Sequence, residues 1–284
     1  MKTILLDAAK SGSVEAAAKI IKEGGLVGMP TETVYGLAAN ALDGKAVMKI
    51  FKAKGRPQDN PLIVHISKLE QIKRLTKNVP DSAYRLAKAY WPGPLTMVLE
   101  KSELIPDEVS TGLPTVGIRF PSHPMAQALI TASGVPIAAP SANRSGYPST
   151  TTAEHVMRDM DGKIDAVLDG GPCGVGVEST IVMMTSNPPR LLRPGGITLA
   201  QLRAVLGRVD VDPAVMNPLP KGARPLSPGM KYKHYSPKAN VVILKGGEKL
   251  FADYVNAHAE PGIAALCYDG EDRLLKVPAV CYGA

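Results

Sequence analysis

The stretch "KAKGRPQDNPLIVHI", residues 52–66, changes character halfway, from cations and helix breakers to an apolar run. Gly55 and Pro57 end any helix that reaches them. Pro61 to Ile66 then reads as a strand without strict alternation, the pattern of a strand inside a sheet covered on both faces. Just upstream, "KAVMKIFKAK" turns Val47, Ile50 and Phe51 to one side of a helix. A helix, a cationic turn and a buried strand in that order mark an α/β unit.

The same grammar continues in both directions. Residues 13–23 place Val14, Ala17, Ala18 and Ile21 at helical spacing, with Ser11 or Ser13 as cap and Gly24-Gly25 as stop, and "LVGMPT" follows as a short buried strand. Ser67 and Glu70 are spaced as a capping box for "KLEQIKRLTK", and a helix starting after Asp81 ends at "WPGP". Strands are expected at "LTMVLE", "TVGIRF", "VPIAAP", "AVLDGG", "STIVMM" and "RLLRP", with helices near 124–132, 152–159 and 198–206. Between Arg208 and Lys238 six prolines and little periodicity replace this pattern, as in an extended tether. Such a segment is either a solvated linker or a cover that folds back over a site. "NVVILKG", a helix near 248–259, "GIAALCYDG" and "PAVCYGA" then open a second, short α/β unit.

The totals narrow the function classes. The chain has 284 residues and a net charge of +7, which favours anionic partners without separating nucleotide from nucleic acid. No apolar run approaches the roughly 20 residues of a membrane span, and the N-terminus lacks a signal-peptide pattern, so a soluble, cytoplasmic protein is expected. Cys173, Cys267 and Cys281 show no close metal-ligand spacing. Aromatic residues are 5% of the chain, too few for stacking platforms that bind RNA.

Three loops could carry chemistry. Lys54 and Arg56, two apart at a helix end, suit a polyphosphate: a charge pair at about 4 Å in an effective dielectric of about 20 amounts to roughly 4 kcal/mol before desolvation. Taken alone they are equally a solvated helix end whose cations favour the helix dipole. "APSANRSGYPST", 139–150, is crowded with small donors after an apolar strand, and "GGPCGVGVESTIV", 170–182, permits close backbone approach to a ligand. Neither matches a P-loop or a dinucleotide fingerprint, and each also reads as an ordinary turn-rich loop or hairpin. Arg119 and Arg193 interrupt apolar strands, so each is paired or bound to something. His65 alone reads as a satisfied core histidine. Together the loops converge on one anion site.

"PTETVYGL", "KAKGRPQDNPLIVHI", "PSANRSG" and "GVGVESTIV", in this order, resemble the YrdC-like threonylcarbamoyl-AMP synthases, whose Lys-x-Arg and Ser-x-Asn signature would here be Lys54, Arg56, Ser141 and Asn143. The resemblance spans about residues 10–205, and "SPGMKYKHYSP" is similar to the linker of the long, two-domain members. It implies a twisted mixed sheet with flanking helices and a positively charged concave face over 1–207. A Pro-rich linker over the site (208–238) and a partial Rossmann-like domain (239–284) would follow. It implies a nucleotidyltransferase that joins L-threonine, bicarbonate and ATP, with Mg²⁺, into threonylcarbamoyl-AMP and pyrophosphate for tRNA modification. The product would pass to a tRNA threonylcarbamoyltransferase complex. By the same resemblance Thr33, His65, Arg119, Ala139 and Ser179 would hold threonine. Lys54, Arg56, Asn60, Thr115, Ser141, Asn143, Ser149, Arg193 and Tyr235 would hold ATP, with Lys54 and Arg56 catalytic. Two rival readings stand beside it: an RNA-binding protein using its basic concave face without chemistry, and a carbamate-adenylating module of a larger carbamoyltransferase.

Overall fold

The computed structural model describes residues 2–217, 219, 222, 224–230 and 239–283. They divide into two compact units, Met1–Ser236 and Pro237–Ala284.

In the first unit the described strands are β1 (Ile4–Asp7), β2 (Val27–Met29), β3 (Gly36–Asn40), β4 (Ile63–His65), β5 (Leu95–Glu100), β6 (Thr115–Arg119), β7 (Ile137–Ala138), β8 (Ala166–Asp169), β9 (Thr180–Met183), β10 (Arg190–Arg193) and β11 (Asp210–Val211). They form one mixed sheet in the order β1-β8-β2-β3-β7-β4-β6-β5-β9-β10-β11. Neighbours β4–β6 and β5–β9 run parallel, whereas β3–β7, β4–β7, β5–β6 and β9–β10 are antiparallel.

The two halves of this sheet are covered differently. Over β1, β8, β2, β3 and β7, both faces carry apolar clusters. One of these packs the helices Ser13–Lys22 and Pro124–Ser133, which lie against each other, on Val27, Met29, Ala38 and Leu168. Over β4, β6, β5 and β9 only one face joins the large core: Val64, Val116, Ile118, Leu95, Met97, Leu99 and Val182 point there. Period-2 alternation sends Ile63, His65, Gly117, Arg119, Thr96, Val98, Ile181 and Met183 to the other face. That face carries no α-helix among the described residues. Its apolar part, Ile63, Val98, Ile181, Met183 and Leu192, is covered by Met230, with Ala214, Leu219 and Leu226 packed around it. β4 is buried along its whole length, as expected, with Val64 in the large core and Ile63 under Met230, while His65 faces a cavity.

Several local expectations change for identifiable reasons. The helix Ser13–Lys22 starts from Gly12 at φ 84° without a side-chain cap, rather than from Ser11 or Ser13. Gln71, not Glu70, reaches back after Ser67: its Oε1 accepts from the Ser67 and Lys68 amides, and the segment runs as a 3₁₀ turn over Leu69–Gln71 before Ile72–Leu75. "GLAAN" forms β3 although Gly, Ala and Asn are poor strand formers; pairing on both sides outweighs propensity. β11 lies within the proline-rich stretch and pairs with β10.

In the second unit the helix Glu248–Ala257 and two three-residue parallel strands, β12 (Ala265–Cys267) and β13 (Ala279–Cys281), are present. "NVVILKG" does not form a strand: it pairs with no strand among the described residues, and Ile243 is 83% exposed. No helix among the described residues is long and apolar enough to cross a membrane.

Candidate functional site

The cavity on the helix-free face, about 520 Å³ including its mouth, is built from strand ends and the loops that leave them. β4 and β6 run side by side and bring His65 and Arg119 into register. The loop between β2 and β3 adds Thr31, Thr33 and Val34, and the loop after β7 adds Ala139, Pro140 and Ser141. Gly36 lies beside this loop: a Cβ there would stand 3.0 Å from Cβ of Ala139. The start of β9 contributes Ser179 with Glu178, and the end of β10 contributes Arg193.

Lys54 and Arg56 part company at Gly55, whose φ of 61° ends the helix Gly44–Lys54 in a left-handed turn. Lys54 is 4% exposed and lies behind the cavity, where its ammonium donates to the carbonyls of Ser141 and Asn143. It is a clamp on the Ser141–Asn143 loop, and burial, then the nearby Arg56 charge, hold its pKa well below the usual lysine value. Arg56 lines the cavity itself, with its guanidinium donating to the carbonyls of Asn60 and Pro61. Within the loop Ser141 Oγ donates to Asn143 Oδ1 at 2.5 Å, and Asn143 Nδ2 donates to the carbonyls of Arg144 and Tyr147. Ser149 Oγ donates to Glu178 Oε1 at 2.5 Å, tying the second loop to the third.

Arg193 braces Ser179, donating to its carbonyl at 2.9 and 3.1 Å and to its hydroxyl at 3.2 Å. The Ser179 hydroxyl also meets Thr96 Oγ1 at 2.8 Å. Burial brings the Arg193 pKa down to about 10, with the neighbouring Glu178 charge opposing the shift. His65 is neutral: burial and the positive charge of Arg119 push it down to about 3. Its Nδ1 is buried with no hydrogen-bond partner among the described residues, as is Nε of Arg119, while Nη2 of Arg119 meets the Glu32 carboxylate at 2.8 Å. Buried donors left in this state cost about 1–3 kcal/mol each, so these groups are set for a ligand.

Of the residues nominated from the sequence, the cavity wall thus gathers Thr33, Arg56, His65, Arg119, Ala139, Ser141, Ser179 and Arg193. Lys54 and Asn143 stand behind it, and Ser149 is tied to its rim through Glu178. Asn60 is buried with Oδ1 unpartnered. Thr115 lines a smaller adjoining cavity with Gly117, Leu226, Ser227 and Pro228. Tyr235 lies outside the described residues. Sequence reasoning missed Glu32, the ion-pair partner of Arg119 at 2.8 Å, and Glu178. Both stand within the quoted motifs, and an acidic residue beside hydroxyls in a cationic site was the available signal.

A Sua5/YciO/YrdC family model, described as telomere recombination, matches residues 19–195, and one described as the threonylcarbamoyl-AMP synthase C-terminal domain matches 197–277. The chain is 53% identical over 233 residues to the threonylcarbamoyl-AMP synthase of Pyrococcus abyssi, covering 82% of this chain and 68% of the relative. It is 49% identical to that of Bacillus subtilis, covering 88% and 71%. The crystal structure of P. abyssi Sua5 complexed with L-threonine superposes with a TM-score of 0.87 at 46% identity, covering 95% of this chain and 81% of that one.

Proposed function

The chain belongs to the Sua5/YrdC family of threonylcarbamoyl-AMP synthases, and on that premise we propose how its cavity performs the reaction. L-Threonine, bicarbonate and ATP give threonylcarbamoyl-adenylate and pyrophosphate, the activated group for tRNA modification. The observation that carries this reading is the convergence of Arg56, His65, Arg119, Ser141, Ser179 and Arg193 from four distant stretches onto one helix-free patch of sheet.

Threonine's carboxylate meets the guanidinium of Arg119, which lines the cavity beside His65. Thr33, neutral His65, the backbone at Ala139 and the Ser179 hydroxyl surround the rest of the amino acid. The nucleotide lies along the other wall, with its phosphates on Arg56, Arg193 and the Ser141–Ser149 loop, and with Asn60 and Thr115 beyond. Lys54 serves by fixing the loop carbonyls and by lending positive charge from behind. Once the amine has become a carbamate, its oxygen attacks the α-phosphorus and pyrophosphate leaves. That step needs alignment and charge neutralisation, which oriented cations supply.

No group of three His, Cys, Asp or Glu side chains among the described residues fits a protein-held metal. Mg²⁺ bound with ATP would supply further charge neutralisation beside Arg56 and Arg193. Pro228 lines the cavity and its carbonyl accepts from Arg193 Nη1 at 3.4 Å. We read the segment Leu226–Met230 as part of a cover that keeps water from the mixed anhydride; Tyr235, the expected nucleotide contact, lies outside the described residues.

The test is pyrophosphate release from ATP with threonine and bicarbonate omitted in turn. Release that needs both is expected. Release indifferent to threonine, or RNA binding with a steep salt slope and no turnover, overturns the reading.

A further inference from the structure

Arg119 is a buried cation, 4% exposed, in a wall where the other charged side chains are mainly cationic. Its neighbours give it little relief. His65 is held neutral, Arg193 repels it, and burial keeps the nearby Cys173 thiol protonated by pushing it up to about 11. The one ion-pair partner of Arg119 among the described residues is Glu32, with Oε1 2.8 Å from Nη2 and side-chain exposures of 5% for the arginine and 12% for the glutamate. The contact is made at Nη2, which with Nε forms the enclosed edge of the guanidinium. The carboxylate therefore neutralises the guanidinium at that edge and leaves the rest of the group, which lines the cavity, for a ligand.

The placement of Glu32 explains how. Thr31 and Thr33 line the cavity and Glu32 between them does not. Its backbone carbonyl accepts from the Val175 amide at 2.7 Å, and the Thr31 hydroxyl donates to the Val34 carbonyl at 2.6 Å, so the turn that carries it is pinned at both ends. A carboxylate on one edge of the cation, carried by a pinned turn, and a cavity on the other form a mount for a second carboxylate. Without Glu32, Arg119 would be a buried guanidinium with no ion-pair partner among the described residues.

We propose that Glu32 is a positioning residue for the amino-acid substrate: it holds the Arg119 guanidinium by one edge, so that the remaining N–H groups aim at the substrate carboxylate. The proposal deepens the reading above, resting on threonine as the ligand of Arg119.

The experiment is steady-state pyrophosphate release by Glu32→Gln and Glu32→Asp, with KM for threonine and for ATP measured separately, together with Tm. Glu32→Gln is expected to raise the threonine KM about tenfold or more, since a misaimed binding group of this kind costs between one and two orders of magnitude. ATP KM stays within about twofold, and Glu32→Asp, which keeps the charge but withdraws it by one methylene, gives a smaller rise. A fall in threonine KM would make Glu32 a competitor for Arg119 and overturn the proposal. So would equal shifts in both KM values with a lowered Tm, the mark of a structural role. If Glu32→Gln does not fold, Glu32→Asp decides alone: its threonine KM must rise without the ATP KM. A wild-type enzyme indifferent to threonine sinks the functional reading, whereas an unchanged threonine KM in variants of a threonine-dependent enzyme sinks only the role of Glu32.

Discussion

The two faces of the β4-β6-β5-β9 patch are made by the same strands, one residue apart, and they do opposite things. Val64, Ile118, Met97 and Val182 enter a dry core under helices. Their immediate neighbours turn the other way: His65 and Arg119 line the cavity, and Thr96, beside the smaller adjoining one, turns its hydroxyl to that of Ser179. The first face is where burial of apolar area stabilises the fold. On the second, desolvated charge is tolerated because strand pairing and the opposite face hold it in place. Binding sites are built this way when a rigid sheet carries them: the stable face lets the strained one exist.

Substitutions on each face test that division. The largest effect is expected for Arg119→Leu, which removes the carboxylate fork: kcat/KM for threonine should fall by about two orders of magnitude or more, on the order of 3 kcal/mol for charge-assisted hydrogen bonds. Its Tm should fall as well, because Glu32 is left as a buried carboxylate without its ion-pair partner, and Glu32→Gln in the same chain should restore it. No restoration in the double variant would mean that the cavity face carries stability of its own.

Ile118→Ala is the converse experiment. The residue is fully buried on the core face, so unfolding free energy should drop by about 3 kcal/mol while activity per folded molecule stays within a fewfold. Chemical denaturation and active-site titration on the same sample read both.

The third effect is in pH. His65 is held near 3 in the folded chain against an ordinary value of 6.5. Its contribution is therefore flat above about pH 6.5. As pH falls from 6.5 toward 3 the unfolded chain takes up a proton that the folded chain refuses, and stability drops, by about 2 kcal/mol at pH 5. His65→Asn should flatten that part of the profile; equal pH dependence in variant and wild type removes the argument.

The smallest effect is at Gly117, where a Cβ would stand 3.1 Å from Thr96 Cγ2 and 3.4 Å from Ile63 Cγ1. Gly117→Ala should be tolerated at a cost of about 1 kcal/mol or less and raise the ATP KM more than the threonine KM, because Gly117 lies beside Thr115 in the adjoining cavity.

Legibility in the sequence follows the same line. Long periodic elements such as Gly44–Lys54, Leu95–Glu100 and Asp81–Tyr90 stand where their patterns put them. β3 was invisible because its residues have no strand preference and owe their conformation to neighbours on both sides. "NVVILKG" misled for the reciprocal reason: a strand-like composition without a partner strand is not a strand. In the site, family motifs named residues that the fold gathers into one wall, but they could not separate the role of Arg56, on the wall, from that of Lys54, behind it. Nor could they reveal that Glu32 answers Arg119 across 87 positions of sequence (119 − 32).

By itself, then, the sequence determined the α/β class, the helix-and-strand order and the chemical palette of the loops, since these follow from local periodicity, breakers and residue type. Tertiary structure alone decided which face of β4 and β6 would be left without a helix, and which cation would touch the cavity rather than support it. The reason is that in a strand covered on both sides apolar residues occupy both faces, so only the packing of distant segments distinguishes a core face from a binding face.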